Sequence, residues 1–533
     1  VYAVLSAALL LLVSILALTA RQPPPPSVAE FAPQSVEQIK NAPNAQSSRF
    51  GNGDGGGADG TGGTTTTAPS ASTSTTAPKA IDKARVRHCI GDPPRQIEDP
   101  QSPPCVAYWE GTDNGGATSF GVSEAEVRIA VPNWDDSIHP ALQTFFNSRF
   151  EFYGRKLKLV KLGGSNSSDD PSAQEADAVK AHSEVKPFAS LDYNGGNVYY
   201  YRKLARLGIV AASSQPIFTA GDLAGLSPFV WQYPMGVDRM YANLGEWACK
   251  RLVGHKAVHG GPAEQGKDRK FGIIQQFYSA DDQPSLEPLT KALQSCGAAV
   301  APPVRYVYDL DPQKAANAVL QMKSADVTSV ICLCQVLSMG NMAKSATGQG
   351  YFPEWLVSTY LLLDYNALFS ASIPPEQRVH AFGLSFIPKQ VRPSDYPAGW
   401  AMREGDPRVS PRTTAVDITP LNIEYRTLLL IASGIQMAGP HLTPQTFAAA
   451  LERTVFPNPD TSIFAGHVGF PPALGHGMTV DAAEIWWGEG RTGPTSDNTN
   501  GAFCYVDHGA RRVAGRYPLG GDPFFADPCD TGA

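Results

Sequence analysis

Two hydrophobic periods alternate along the chain from Glu126 onward, short aliphatic runs followed by repeats of three to four residues, and this alternation predicts β–α units. EVRIAVPNW reads as a strand ending at Trp134, and PALQTFFNSRFEF as a helix with Leu142, Phe145, Phe146 and Phe150 on one face. KLKLVKL, VKPFAS and GIVAAS read as the next strands, with AQEADAVKAH and NVYYYRKLARLG as the intervening helices. Units of this length predict a mainly parallel sheet with right-handed crossovers and helices on both faces. The run Ala205 to Tyr241 says most about use: helix end, buried strand, Ser213-Ser214-Gln215-Pro216 turn, loop, second strand and new helix. Open α/β sheets bind ligands beyond the carboxyl ends of their strands, so this turn reads as the edge of a recognition cleft.

A second series begins after Tyr233. MYANLGEWACKRL, LEPLTKALQSCG, DPQKAANAVLQMKSA and MGNMAKSATGQG have helical spacing. KFGIIQQF, VTSVICLC, WLVSTY and HAFGLSF read as strands, and AAVAPPVRYV as an extended segment. TPLNIEYRTLLLIASGIQMAG and TPQTFAAALERT read as helices whose Thr-Pro pairs supply an N-cap and a proline at the first helical position. From Ser462 the chain predicts short strands between Gly/Pro turns, AEIWWG and AFCYV among them.

Composition adds the surroundings. Tyr2 to Ala20 is an almost unbroken apolar run ending at Arg21, long enough to span a bilayer as a helix; an uncleaved anchor is favoured over a signal peptide, with no cysteine following it to carry a lipid. PPPP, GNGDGGGADGTGG and TTTTAPSASTSTTAP between Arg21 and about Ala80 are too poor in aliphatics to fold and read as a tether. With 533 residues and 42% hydrophobic content, the remainder can fill two lobes. A net charge of −7 without a Lys/Arg cluster argues against nucleic acid as a partner.

Eight cysteines behind an export segment favour disulfides and an extracytoplasmic compartment. Neighbour pairing joins Cys89 to Cys105, Cys249 to Cys296 and Cys504 to Cys529. Cys332 and Cys334 share a strand face, where a direct bond is strained and two buried thiols are an equal alternative. No ligand spacing for zinc is present, and neither a metal nor a cofactor is expected.

Several strings, in their order, resemble the type I periplasmic binding proteins, specifically the branched-chain amino acid-binding (Leu/Ile/Val-binding) family of ABC-transporter solute receptors. FEFYGRKLKLVKLGGSNSSDDPSAQEADAVKAH is similar to that family's G-R-x-[IL]-x-L-x-x-x-D-D-x-x-[DN]-P-x-x-A segment through Gly154, Arg155, Asp169, Asp170, Pro171 and Ala173. LARLGIVAASSQPIFT resembles its strand and binding loop through Gly208, Ser213 and Ser214, with Gln215-Pro216 as a departure. FVWQYPMGVDRMYANLGEW resembles its crossing into the second lobe, with Gln232 for the frequent arginine, and GHGMTVDAAEIWW its late return to lobe two. The resemblance covers about Glu126 to Val506 and implies an α/β two-lobed Venus-flytrap with three interlobe crossings, near Trp231–Met235, Glu354–Tyr360 and Gly439–Thr443.

The corresponding division is a segment 1–20, a linker 21–85, a disulfide-closed leader 86–125, lobe one at 126–233 and 356–440, lobe two at 234–355 and 441–506, and a disulfide-closed tail 507–533. The resemblance implies ligand contacts from Ser213 and Ser214 and from the Asn194-Gly195 turn of lobe one, whose residues are equally turn and helix-cap residues; Gln215, beside them, is a further candidate. Trp134 and Asp135 follow the first strand, where they are a stacking wall and a partner for an amine or hydroxyl, or simply solvated loop residues. Tyr278 and Gln335 follow lobe-two strands, and Tyr233 and Tyr360 stand at crossings; each tyrosine offers an apolar wall with a hydrogen-bonding tip or is plain core.

G-x-S-x-G, H-E-x-x-H and the Walker A loop are missing, and no G-x-G-x-x-G follows a strand. His255 with His259, and His467 with His476, lack a third ligand or partner acid in the sequence, so an enzyme is not expected. The expectation is an extracytoplasmic small-molecule receptor at a bacterial cell membrane, N-terminally anchored or secreted, working with an ABC permease. The alternative is a membrane-tethered sensor or scaffold of the same fold.

Overall fold

The computed structural model describes residues 85–531, apart from 168–169, 194–197, 278–282, 360–361, 459–465, 472–474, 495–500 and 522. The chain divides into units 1–77 and 78–533, and the described residues all belong to the second. The expected anchor at 1–20 and nearly all of the linker lie outside them; among the described residues no helix is long and apolar enough to cross a membrane.

Lobe one begins with β1 (Glu126–Val131), α1 (His139–Arg149), β2 (Lys156–Lys161), α2 (Pro171–Lys180), β3 (Ala189–Ser190), α3 (Val198–Arg206), β4 (Val210–Ser213), α4 (Ala220–Gly225) and β5 (Val230–Gln232). The five strands form one parallel sheet in the order β2-β1-β3-β4-β5. Alternation in β1 buries Val127 and Ile129 beside Leu142, Phe145 and Phe146 of α1, the helix face that the sequence spacing predicts.

The chain then crosses into lobe two, with α5 (Val237–Arg251), β6 (Lys270–Phe277), α6 (Glu287–Ser295), β7 (Ala299–Val300), β8 (Val304–Val307), α7 (Pro312–Ser324), β9 (Ser329–Leu333) and α8 (Val336–Gly348). It continues through β10 (Glu354–Val357), α9 (Asn366–Ser372), α10 (Pro375–Arg378) and β11 (Ala381–Ser385). The long sheet follows β13-β12-β11-β10-β9-β6-β7, completed late in the chain by β12 (Ala482–Gly488), β13 (Ala502–Tyr505) and β14 (Arg511–Arg512). Strands β6 to β11 pair in parallel, whereas β12 runs antiparallel to β11, β13 and β14.

The return to lobe one comes later than the sequence division places it. β10 and β11 are interior strands of the lobe-two sheet, so residues 356–385 belong there. A βα unit can extend either sheet, and nothing in WLVSTY or HAFGLSF marks which one. Only α11 (Pro397–Gly405), α12 (Ala415–Ala438) and α13 (Pro444–Arg453) rejoin lobe one, where Met402, Leu428 and Phe447 share a core with Phe145 and Trp231. Gly405 permits the contact of α11 with α1, since a Cβ there would stand 1.9 Å from the Ala141 carbonyl oxygen. Phe456, Phe470 and Met478 remain in the same core, so the described residues between 441 and Met478 pack with lobe one rather than lobe two. Thr443 caps α13 as expected, but Thr419-Pro420 lies inside α12, whose start extends to Ala415.

The three crossings are thus Gln232–Val237, 386–396 and 476–481, the first as expected and the others not. The first and third run side by side: Gln232 N–H donates to the His476 carbonyl at 3.0 Å and Met478 N–H to the Gln232 carbonyl at 2.8 Å. Arg511 ties the third to the second, donating to Asp481 at 2.8 Å and to the Ile387 carbonyl at 2.8 Å. His467 stands 2.5 Å from Asp481, and His476 bonds Glu452 at 2.9 Å while stacking on Trp231. Both histidines therefore have partner acids, yet they serve the joint.

All three neighbour disulfides form, and Cys332 is joined to Cys334 as well. The leader contributes Ile97 to the lobe-one core, and the tail packs Tyr517 and Phe524 into lobe two.

Candidate functional site

A cavity of about 180 Å3 lies where α12, the crossings and the leader converge, and a smaller space of about 30 Å3 adjoins it. Tyr233, Tyr365, Ile387, Asn422 and Arg426 line both, so they form the partition between two chambers of one cleft. Ser214, Gln215 and Pro216 close the smaller chamber, and Asp99, Lys389 and Tyr396 help to close the larger.

The Ser213–Gln215 turn is shaped from within. The Ser213 hydroxyl donates to the Gln215 carbonyl at 3.2 Å and accepts from the Gln215 N–H at 3.1 Å. Ser214 donates both its N–H and its hydroxyl to Asp192, each at 2.8 Å, and Tyr201 donates to the same carboxylate at 2.9 Å. Burial pushes the Asp192 carboxyl up to about 7, helped by repulsion from Glu424, while the bonds from Ser214 and Tyr201 pull the other way. Glu424 is itself raised by burial, with His139 standing 3.3 Å away and opposing the rise.

The opposite face of α12 uses a different solution. Arg426 donates to Asp99 at 2.5 Å, and Tyr425 donates to the same carboxylate oxygen at 3.0 Å. Tyr233 donates to Gln101 at 2.9 Å, which anchors the leader loop on the first crossing. Asn422 and Arg426 are one helical turn apart and share a face. Buried Asn422 Oδ1 and Arg426 Nε have no hydrogen-bond partner among the described residues.

Of the expected site residues, Ser214, Gln215 and Tyr233 meet in this cleft. Ser213 is fully buried beneath the turn. Trp134 lies apart, stacked on His139 with its indole N–H donating to Asp136, and it lines a separate groove with Pro140 and Asn147. Asp135 closes a local turn by accepting from the N–H and hydroxyl of Ser137. Gln335 caps α8, accepting from Leu337 and Ser338 N–H. Asn194, Gly195, Tyr278 and Tyr360 lie outside the described residues.

Asp99, Asp192, Tyr365, Tyr396, Asn422 and Arg426 escape the sequence reading. One signal was available: Asn422, Glu424 and Arg426 interrupt the strongly apolar run LNIEYRTLLLIASG, and charges on a buried helix need partners. Nothing local names Asp99, which meets Arg426 across 327 positions.

No family model matches the sequence, and no curated protein does either. Among solved structures, an ABC transporter substrate-binding protein of Aeropyrum pernix superposes with a TM-score of 0.51 at 13% identity, over 74% of this chain and 97% of that one. The fold is that of the type I solute-binding proteins. A fatty acid ABC transporter substrate-binding protein from Thermomonospora curvata is similar at a TM-score of 0.48 and 14% identity, over 74% of this chain and 92% of that one. A solute-binding protein from Rhodopseudomonas palustris BisB5, in complex with 3,4-dihydroxy benzoic acid, gives 0.49 and 12%, over 74% and 98%. In the solute-binding fold two α/β lobes share a joint, and here the cavity sits beside that joint.

Proposed function

We propose that this chain is an extracytoplasmic receptor that holds a small solute in the cavity between α12, the crossings and the leader, and presents it to an ABC permease. The observation that carries the reading is one wall with two chemistries: the rings of Tyr233, Tyr365 and Tyr396 beside the unsatisfied Asn422 Oδ1 and Arg426 Nε. Apolar area supplies affinity and a few placed polar groups supply orientation. A volume of about 180 Å3 suits one substituted ring, since an engineered apolar cavity of ~150 Å3 holds benzene. Four disulfides support an extracytoplasmic setting.

A thermal-shift screen of the chain against amides, alcohols, sugars and organic acids tests this reading. A solute present at a hundred times its Kd adds about 2.7 kcal/mol of stability. The shift is expected to vanish in Tyr233→Ala. A screen with no shift, or a shift indifferent to that substitution, removes the cavity from the argument.

A further inference from the structure

We propose that Asp99, carried into the cleft by the disulfide-closed leader, sets the charge of the ligand: by occupying Arg426 it reserves the cavity for uncharged solutes and excludes carboxylates. The inference rests on the receptor reading above and adds its substrate class.

A buried guanidinium is the side chain best suited to grip a carboxylate, with five donors in a rigid fork. In this cleft its charge is already matched, one Nη donating to Asp99. The side chains of Asp99 and Arg426 are 0% and 4% exposed and meet at 2.5 Å. The second Asp99 oxygen accepts the Gln101 N–H at 2.8 Å. An incoming carboxylate meets a neutral pair, loses its own hydration and gains no unmatched cation in return. The other charges on the cavity wall are matched too, Lys389 with Asp530 at 2.7 Å and Asp395 with Arg392 at 2.7 Å.

Among the fully buried polar atoms of the described wall residues, one donor, Arg426 Nε, and one acceptor, Asn422 Oδ1, have no partner. A carboxamide or hydroxyl carries both complements. A carboxylate has acceptors only and turns like charge toward the Asn422 oxygen. The acid is not the leader's sole hold on the lobe, since Ile97 sits in the core, Gln96 donates to the Arg149 carbonyl and Tyr233 donates to Gln101.

Isothermal titration of the full disulfide-bonded chain with shape-matched pairs, benzamide against benzoate and nicotinamide against nicotinate, tests the proposal. The native chain is expected to prefer the amide of a pair by about tenfold or more. Asp99→Asn is expected to reverse the order, with the carboxylate gaining about tenfold or more, and Asp99→Asn/Arg426→Gln to lose that gain. Equal binding of amide and carboxylate by the native chain overturns the proposal, as does an unchanged ratio in a folded Asp99→Asn protein. Should that variant fail to fold, the native ratio decides alone. An anionic solute emerging from the thermal-shift screen overturns the charge rule and leaves the receptor reading standing, whereas the absence of any ligand fells both.

Discussion

Asp99 and Asp192 are both buried carboxylates at the cleft, on different sides of α12, and they are stabilised in opposite ways. Asp99 has a cation, a phenol and a backbone amide. Among the described residues Asp192 has neutral donors, Ser214 and Tyr201, with Glu424 near enough to repel it. Glu424 and Arg426 are two residues apart, hence about 200° apart around the helix, which is how one element serves both environments. The lesson is that burial alone does not fix what an acid does: the paired one holds two segments together, and the unpaired one becomes sensitive to protons.

The sharpest way to break the contrast is to strip Asp99 of its cation. Arg426→Met is expected to cost about 3–5 kcal/mol in urea unfolding, because it leaves a carboxylate buried without compensation, while Asp99→Leu/Arg426→Met recovers most of the loss. A single variant within about 1 kcal/mol of the native chain would show that Tyr425 and the Gln101 N–H suffice to hold the buried charge.

The second prediction concerns pH. The folded chain holds a proton on Asp192 up to about pH 7, whereas the unfolded chain releases it near 3.8. In that interval the folded state binds more protons, so this contribution is full below about pH 4 and is lost as pH rises through about 7. Asp192→Asn removes the dependence and is expected to be more stable than the native chain by about 4 kcal/mol above pH 7, with the difference vanishing near pH 4. Parallel stability profiles for the two proteins from pH 4 to 8 would contradict it.

The smallest effect separates the two donors of Ser214. Ser214→Ala keeps the N–H bond to Asp192 and loses the hydroxyl bond, at a cost of about 1 kcal/mol. Because that bond lowers the Asp192 carboxyl, its loss moves the midpoint of the pH profile upward. A midpoint that stays or falls would mean that the hydroxyl does not stabilise the charged form.

The sequence made the βα units, the first crossing, three disulfide pairings and the Ser213–Gln215 turn legible, because each depends on residues close together or on patterning alone. The second and third crossings were not legible: β10 and β11 have the same aliphatic texture whichever sheet receives them. The turn lies at the cleft, but what shapes it was not legible, since Ser214 spends its donors on Asp192, an acid that follows a strand of only two residues. The other half of the site was hidden by distance, since Asp99 in the leader and Arg426 in α12 lie 327 positions apart.

The knot at the crossings has a mechanical consequence. Gln232 and Met478 bind the first strand to the third, and Arg511 rivets the third to the carbonyls of the second. Three parallel rods fastened at one level keep torsion about their common axis and lose slip along it. The joint is therefore tied at one level, and the cavity wall at Tyr233 lies at that level rather than out in either lobe.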